Sequence, residues 1–423
     1  MMKHISLSLL YLALLLCTPL LFADDKLPLP TNELTVISHD GNELPLYRYP
    51  AKGKNLVLWI GGSGWNDRTT QLARDFALKG IEVWQIDFAD ALLQTSSSNF
   101  LRNLDANYVA DIIDAAHKRT GKRVVLFTQA YGAIPLLRGA TLWQQRDKHF
   151  GKLLGAIMFS PDLLTGLPEL GKDPKYLPIT RETDIPVIIF QGGLRGSTAH
   201  FYGLLNELFS HNPHIYFKLM PDIAGVFYHE EPNAATYAML KALPDKMHDM
   251  INLLAVTAYP YTSKYVQPVQ QATATLDSSL KTFKGNPLPP AIDLKDSKGH
   301  AYKISDYHGK VTVVNFWATW CPPCVAEIPS LNRLREQMQG HDFELVSINY
   351  ADTSKVVDEF MQRVDVKFPV LLDLHGKVAQ QWNVIGFPST FVIGKDGKIL
   401  YGVNAAIHWD DADVINTLKS LSN

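Results

Sequence analysis

A chain of 423 residues exceeds one ordinary domain, and two or three are expected. With 46% hydrophobic and 19% charged residues it has the composition of a protein with packed cores, which excludes a disordered chain. A net charge of −2 supplies no basic field for a polyanion, so nucleic acid is not an expected partner.

Lys3 and His4 precede an apolar stretch from Ile5 to Phe22, broken by Pro19, and the small Ala23 stands before Asp24-Asp25. This order predicts a secretory signal over residues 1–23 and an exported protein. An uncleaved anchor is the rival reading, because the run is nearly long enough to span a bilayer. Cleavage removes Cys17 and leaves Cys321 and Cys324 as the thiols of the mature chain. A disulfide framework is then excluded. A zinc site would need two further ligands that neither a second Cys pair nor a short His spacing offers, so no metal is predicted.

Residues 31–257 alternate short apolar runs with helical patterns. An opening hairpin over 34–38 and 43–48 turns at Asp40-Gly41. Buried strands follow at 55–60, 81–87, 124–128, 154–159, 187–191 and 216–220, with amphipathic helices at 70–78, 101–118 and 134–145. Such alternation predicts an α/β protein with a mostly parallel, doubly wound sheet. Residues 258–286, rich in Tyr, Thr, Gln, Ser and Pro without an apolar period, read as a linker.

A second, smaller α/β unit is expected over 287–423. Its strand 311–316 feeds a turn and a helix over 322–338, then come strand 344–349, helix 354–364, strand 370–372 and helix 377–382. A hairpin of 389–393 and 399–403 around Lys395-Asp396-Gly397 precedes a last helix over 411–421. The turn carries Trp320-Cys321-Pro322-Pro323-Cys324, two thiols one helical turn apart. At a helix N-terminus, free backbone N–H groups and the positive dipole end stabilise a thiolate and lower its pKa. The second thiol is close enough to close a disulfide, so the pair can cycle between dithiol and disulfide.

The run Val314-Asn315-Phe316-Trp317-Ala318-Thr319-Trp320-Cys321-Pro322-Pro323-Cys324 is joined by Glu327-Ile328-Pro329-Ser330-Leu331, Gly386-Phe387-Pro388-Ser389-Thr390-Phe391 and Trp409-Asp410. Together they resemble the thioredoxin-like domain of the TlpA/ResA family of exported thiol–disulfide oxidoreductases. The resemblance implies that Cys321 attacks and Cys324 resolves the mixed disulfide. It implies a cis-proline at Pro388 and a client groove shaped by Trp320, Phe387 and Pro388. Asn315 stands where most thioredoxins keep a buried acid, and Glu327 is the candidate proton acceptor in its place, provided it is buried. A solvated helix carboxylate is the alternative. No dissociable cofactor is needed. Protein thiol/disulfide clients and a membrane electron donor are the implied partners, with the chain acting as a reductant; with the signal, the resemblance implies a periplasmic location. A disulfide-donating or isomerising role stays open, because Pro322-Pro323 does not fix the potential.

The first unit resembles the α/β-hydrolase fold, whose nucleophile sits in G-x-S-x-G on a strand-to-helix elbow. The corresponding stretch is Thr128-Gln129-Ala130-Tyr131-Gly132-Ala133, with alanine at the nucleophile position. Gly193-Leu194-Arg195-Gly196 offers no acid after strand 187–191, while His229 takes the place of the triad histidine. Gly61-Gly62-Ser63-Gly64-Trp65 follows the strand where an oxyanion loop is expected and loosely resembles the glycine-tryptophan turn of VirJ-type exported proteins. The reading is a catalytically dead, hydrolase-like unit that binds an unknown ligand or client. Its alternative is an esterase-like enzyme with Ser63 as an unorthodox nucleophile and an accessory redox domain. The simpler role for Ser63 is to cap the helix that follows.

Overall fold

The structure, a computed structural model, describes residues 32–61, 65–146, 151–194, 196–223, 233–257 and 279–423. The signal segment, Ser63, His229 and most of the expected linker lie outside the described residues.

The N-terminal unit is built on strands β1 (Asn32–Ile37), β2 (Glu43–Tyr49), β3 (Asn55–Ile60), β4 (Glu82–Ile86), β5 (Arg123–Gln129), β6 (Leu153–Phe159), β7 (Val187–Gly192) and β8 (Ile215–Met220). They form one sheet in the order β1-β2-β4-β3-β5-β6-β7-β8. β1 pairs antiparallel with β2, and β2 with β4; every later pairing is parallel. The burial pattern explains the division. Every residue of β3 and β4 is buried, as in a parallel strand covered on both faces, whereas β2 alternates in and out.

Helices α1 (Asp67–Leu78), α2 (Phe88–Ala91), α3 (Ser98–Asn103), α4 (Ala106–Thr120), α5 (Ala133–Arg146), α6 (Ile179–Glu182), α7 (Phe201–Phe209) and α8 (Ala234–Thr257) connect the strands. Residues of α4, α5 and α7 fill the core on one face of the sheet, and residues of α1 and α8 fill the other. The helix expected over 101–118 is two, because Asp105 caps α4 through the Asn107 N–H at 2.8 Å. The cap of α1 is Asn66: its side chain accepts the Thr69 N–H at 3.0 Å, and the Thr69 hydroxyl accepts the Asn66 N–H at 3.0 Å.

The C-terminal unit contains β9 (Lys281–Thr282), β10 (Asp293–Lys295), β11 (Ala301–Lys303), β12 (Val311–Trp317), α9 (Pro322–Gln337), β13 (Phe343–Tyr350), α10 (Ser354–Arg363), β14 (Val370–Asp373), α11 (Lys377–Gln381), β15 (Ser389–Ile393), β16 (Ile399–Val403) and α12 (Ala412–Ser422). Six strands form a sheet in the order β14-β13-β12-β15-β16-β9. β12 sits between parallel β13 and antiparallel β15. β9 comes from the segment read as linker and pairs with the edge of β16. The backbone polar groups of that short segment thus find partners in the sheet.

The two units touch along one seam. Leu170 packs onto the core beneath α11. Asn404 Nδ2 donates to the Pro168 carbonyl at 2.7 Å, across 236 residues of sequence. Gly386 lies so close to Leu167 that a Cβ there would stand 2.8 Å from its side chain.

Candidate active site

All seven residues of β12 are buried, so the strand is fixed from both faces and delivers its C-terminal end without slack. Trp317 Nε1 donates to Ser347 Oγ at 2.7 Å, which anchors the last strand residue. The turn beyond it is pinned by Asp352, which accepts the Thr319 N–H at 2.9 Å and the Asn349 side chain at 2.9 Å. Cys321 is the N-cap of α9, and its sulfur accepts the Cys324 N–H at 3.3 Å. Pro322 and Pro323 occupy the first helical positions, where their missing N–H groups cost no intrahelical bond. Fewer donors therefore compete for Cys321.

Cys321 and Cys324 are joined as a disulfide with Cα atoms 5.3 Å apart. Both sulfurs are sheltered, while Trp320 beside them is 52% exposed. The Trp320 ring meets Phe387 edge-on at 5.8 Å, and Phe387 tilts against Tyr350 at 4.9 Å. The Phe387–Pro388 bond is cis. Among the described residues, neither backbone group of Phe387 has a hydrogen-bond partner.

Glu327 lies three residues past Cys324 on α9 and is 3% exposed, which removes the alternative of a solvated carboxylate. Burial pushes its pKa up to about 7, and hydrogen bonds from Asn315, Trp409 and the Ile407 backbone oppose part of that rise. Asn315 Nδ2 donates to Glu327 Oε1 at 2.8 Å and to Thr390 Oγ1 at 2.9 Å. Trp409 Nε1 donates to Glu327 Oε2 at 3.2 Å. No cation among the described residues pairs with it. A carboxyl so placed can hold or release a proton near neutral pH.

The six residues singled out from the sequence therefore come together: Cys321, Cys324, Glu327, Trp320, Phe387 and Pro388. Sequence reasoning missed Asp352 and Tyr350. Both lie at or just beyond the end of β13, which pairs in parallel with β12, and that position was their only signal. Trp409 was visible as a motif, but its bond to Glu327 was not.

The AhpC/TSA family pattern matches residues 285–402. The thiol-disulfide oxidoreductase ResA of Geobacillus kaustophilus (strain HTA426) is 33% identical over 124 residues, 29% of this chain and 71% of that protein. ResA of Geobacillus thermodenitrificans (strain NG80-2) is 32% identical over 153 residues, 36% of this chain and 83% of that protein. A crystal structure from Chlorobium tepidum, described as a thiol:disulfide interchange protein DsbE, is 26% identical with a TM-score of 0.31, over 34% of this chain and 100% of that one. The fold of the C-terminal unit and its Cys pair define a thioredoxin-like thiol–disulfide oxidoreductase. Through that unit the chain belongs to the ResA family.

In the N-terminal unit, Ala130 follows β5 with φ +45°, a left-handed conformation that is costly for a residue with a Cβ. Ser160, at the end of β6, has φ +41°. Both line a pocket at the C-terminal ends of β5, β6 and β7.

Proposed function

We propose that the protein is an exported reductant of protein disulfides, with the N-terminal unit binding a client or ligand. The observation that carries the reading is the buried Glu327 next to a Cys pair at a helix start, held by three donors and by no cation among the described residues.

In the reduced enzyme, the Cys321 thiolate attacks one sulfur of a client disulfide. A Cys321–client disulfide forms, and the other client sulfur leaves as a thiolate and takes a proton from water. The Cys324 thiol then gives its proton to the Glu327 carboxylate and attacks Cys321 Sγ. The Cys321–Cys324 disulfide forms, the mixed disulfide breaks, and the second client thiolate departs. Two electrons have passed to the client. A membrane-bound dithiol donor returns them by the reverse exchange.

The N-terminal unit reads as a degenerate hydrolase. Its strand order and the left-handed turn after β5 support this, with a methyl group where an acyl-enzyme would need a hydroxyl or thiol.

Thiol trapping in the native host, read as a gel shift with an alkylating mass tag, tests the direction of electron flow. A mostly reduced Cys321–Cys324 pair is expected. A mostly oxidised pair would make the protein a disulfide donor and overturn the proposal.

A further inference from the structure

The pocket above Ala130 is not closed by its own unit. One wall is Ile385, which belongs to the C-terminal unit and stands two residues before Phe387. Leu167 on Gly386, the Asn404–Pro168 hydrogen bond and Leu170 against Gly402 hold the pocket rim against that loop. An extended chain advances roughly 3.3–3.6 Å per residue. Phe387 packs on Trp320, the neighbour of Cys321, so a client stretched past Phe387 reaches the pocket within about three to six residues of its reacting cysteine.

The polar groups of the pocket are matched to an uncharged guest. Ser160 Oγ accepts the Gly192 N–H at 3.1 Å, which leaves its own O–H to donate. Gln191 Nε2 donates to Gly192 O at 3.2 Å and to Thr198 Oγ1 at 3.3 Å, leaving Oε1 to accept. His200 is half-buried, its ring nitrogens have no partner among the described residues, and burial lowers its pKa, so the imidazole is neutral at pH 7. Among the described residues, the one carboxylate in the lining, Asp162, is paired with Arg102 at 3.5 Å. No described Lys or Arg lines the pocket. Five non-glycine residues in the described chain have φ in the left-handed region, and two of them, Ala130 and Ser160, meet here. Such conformations cluster where a site is held in shape for a ligand.

We propose that this pocket is a client subsite of the redox reaction, shared by the two units, which takes an uncharged, amide-bearing stretch of the polypeptide whose backbone pairs with Phe387. The inference rests on the reading that disulfide-bonded polypeptides are the clients. The N-terminal unit then selects which disulfides reach Cys321, by reading residues a short distance along the chain.

The test uses the full-length reduced protein and three substrates. One is 5,5′-dithiobis(2-nitrobenzoate), too short to reach the pocket. The others are peptide disulfides of thionitrobenzoate that carry Asn, Gln and Leu, or Glu and Lys, at the third to sixth residues on both sides of the cysteine. The neutral peptide is expected to show kcat/KM at least tenfold above the charged one. Ser197→Trp, which fills the pocket from a half-exposed position, is expected to reduce that ratio to within twofold. Equal rates for the two peptides in the unaltered protein, which need no variant, would overturn the subsite. So would a preference that survives Ser197→Trp in a protein of unchanged melting temperature. Failure to reduce the small disulfide would instead sink the redox reading beneath it.

Discussion

Two central strands of this chain, β5 and β12, end in the same kind of device. Each is buried, flanked on both sides by paired strands, and each hands the chain to a helix that starts within a few residues. At the end of β12 the delivered group is a thiol, in extended backbone with φ −103°, capping α9. At the end of β5 it is the methyl of Ala130, held at φ +45°. The scaffold supplies position in both places, and the side chain decides whether position becomes bond-making. The N-terminal unit holds a methyl group in a costly turn. In the proposed reading its pocket is a binding site, and the chemistry is left to Cys321.

The largest effect that would sharpen this contrast is loss of the thiol. Cys321→Ser should lower disulfide reduction by on the order of 10³-fold. Ala130→Gly, which relieves the left-handed strain, should leave turnover of a small disulfide within about twofold. A comparable loss from both would end the division of labour.

Glu327→Gln removes the proton acceptor and should slow the resolving step by roughly 10²-fold, read by single-turnover quenching. The unaltered enzyme should gain rate as pH rises through about 7, where the carboxylate becomes available, and Glu327→Gln should lose that rise. Stability runs the other way. A carboxyl whose folded-state pKa lies above its ordinary 4.5 stabilises the fold fully below 4.5, and the stability is lost as pH climbs to about 7. Glu327→Gln should therefore be more stable than the parent at pH 8 by about 2–3 kcal/mol, and no more stable at pH 4, by denaturant titration of the oxidised protein.

Asn315→Asp places a second carboxyl where the amide now stands 2.8 Å from Glu327. Like charges resist joint ionisation, so the rise in the pH–rate curve should move up by about one unit or more. An unmoved profile would mean that Glu327 does not set it.

The smallest effect concerns the seam. Gly386→Val drives a side chain into Leu167 and should cost about 1–2 kcal/mol, visible as faster proteolysis between the units. Adding Leu167→Ala should recover part of that loss.

Much of this was legible in residue order, because the rules involved are local. Periodicity gave the strand–helix alternation, and Pro322-Pro323 after Cys321 marked a helix start. The failures were local too: the break that Asp105 makes between α3 and α4 depends on one cap, and α1, expected from residue 70, starts at Asp67 behind its Asn66 cap. Short-range signals fix the existence of an element more firmly than its ends.

By itself, the sequence determined the two α/β units, the thiol pair and its redox class, and the absence of a nucleophile at Ala130, all properties of residues adjacent along the chain. Only the tertiary structure decided that Glu327 is buried, and that its carboxyl oxygens meet Asn315 on β12 and Trp409 near the C-terminus, 12 and 82 residues away. Only the tertiary structure set Ile385 against the pocket of the other unit. Burial and docking are sums over distant atoms, and no local pattern encodes them.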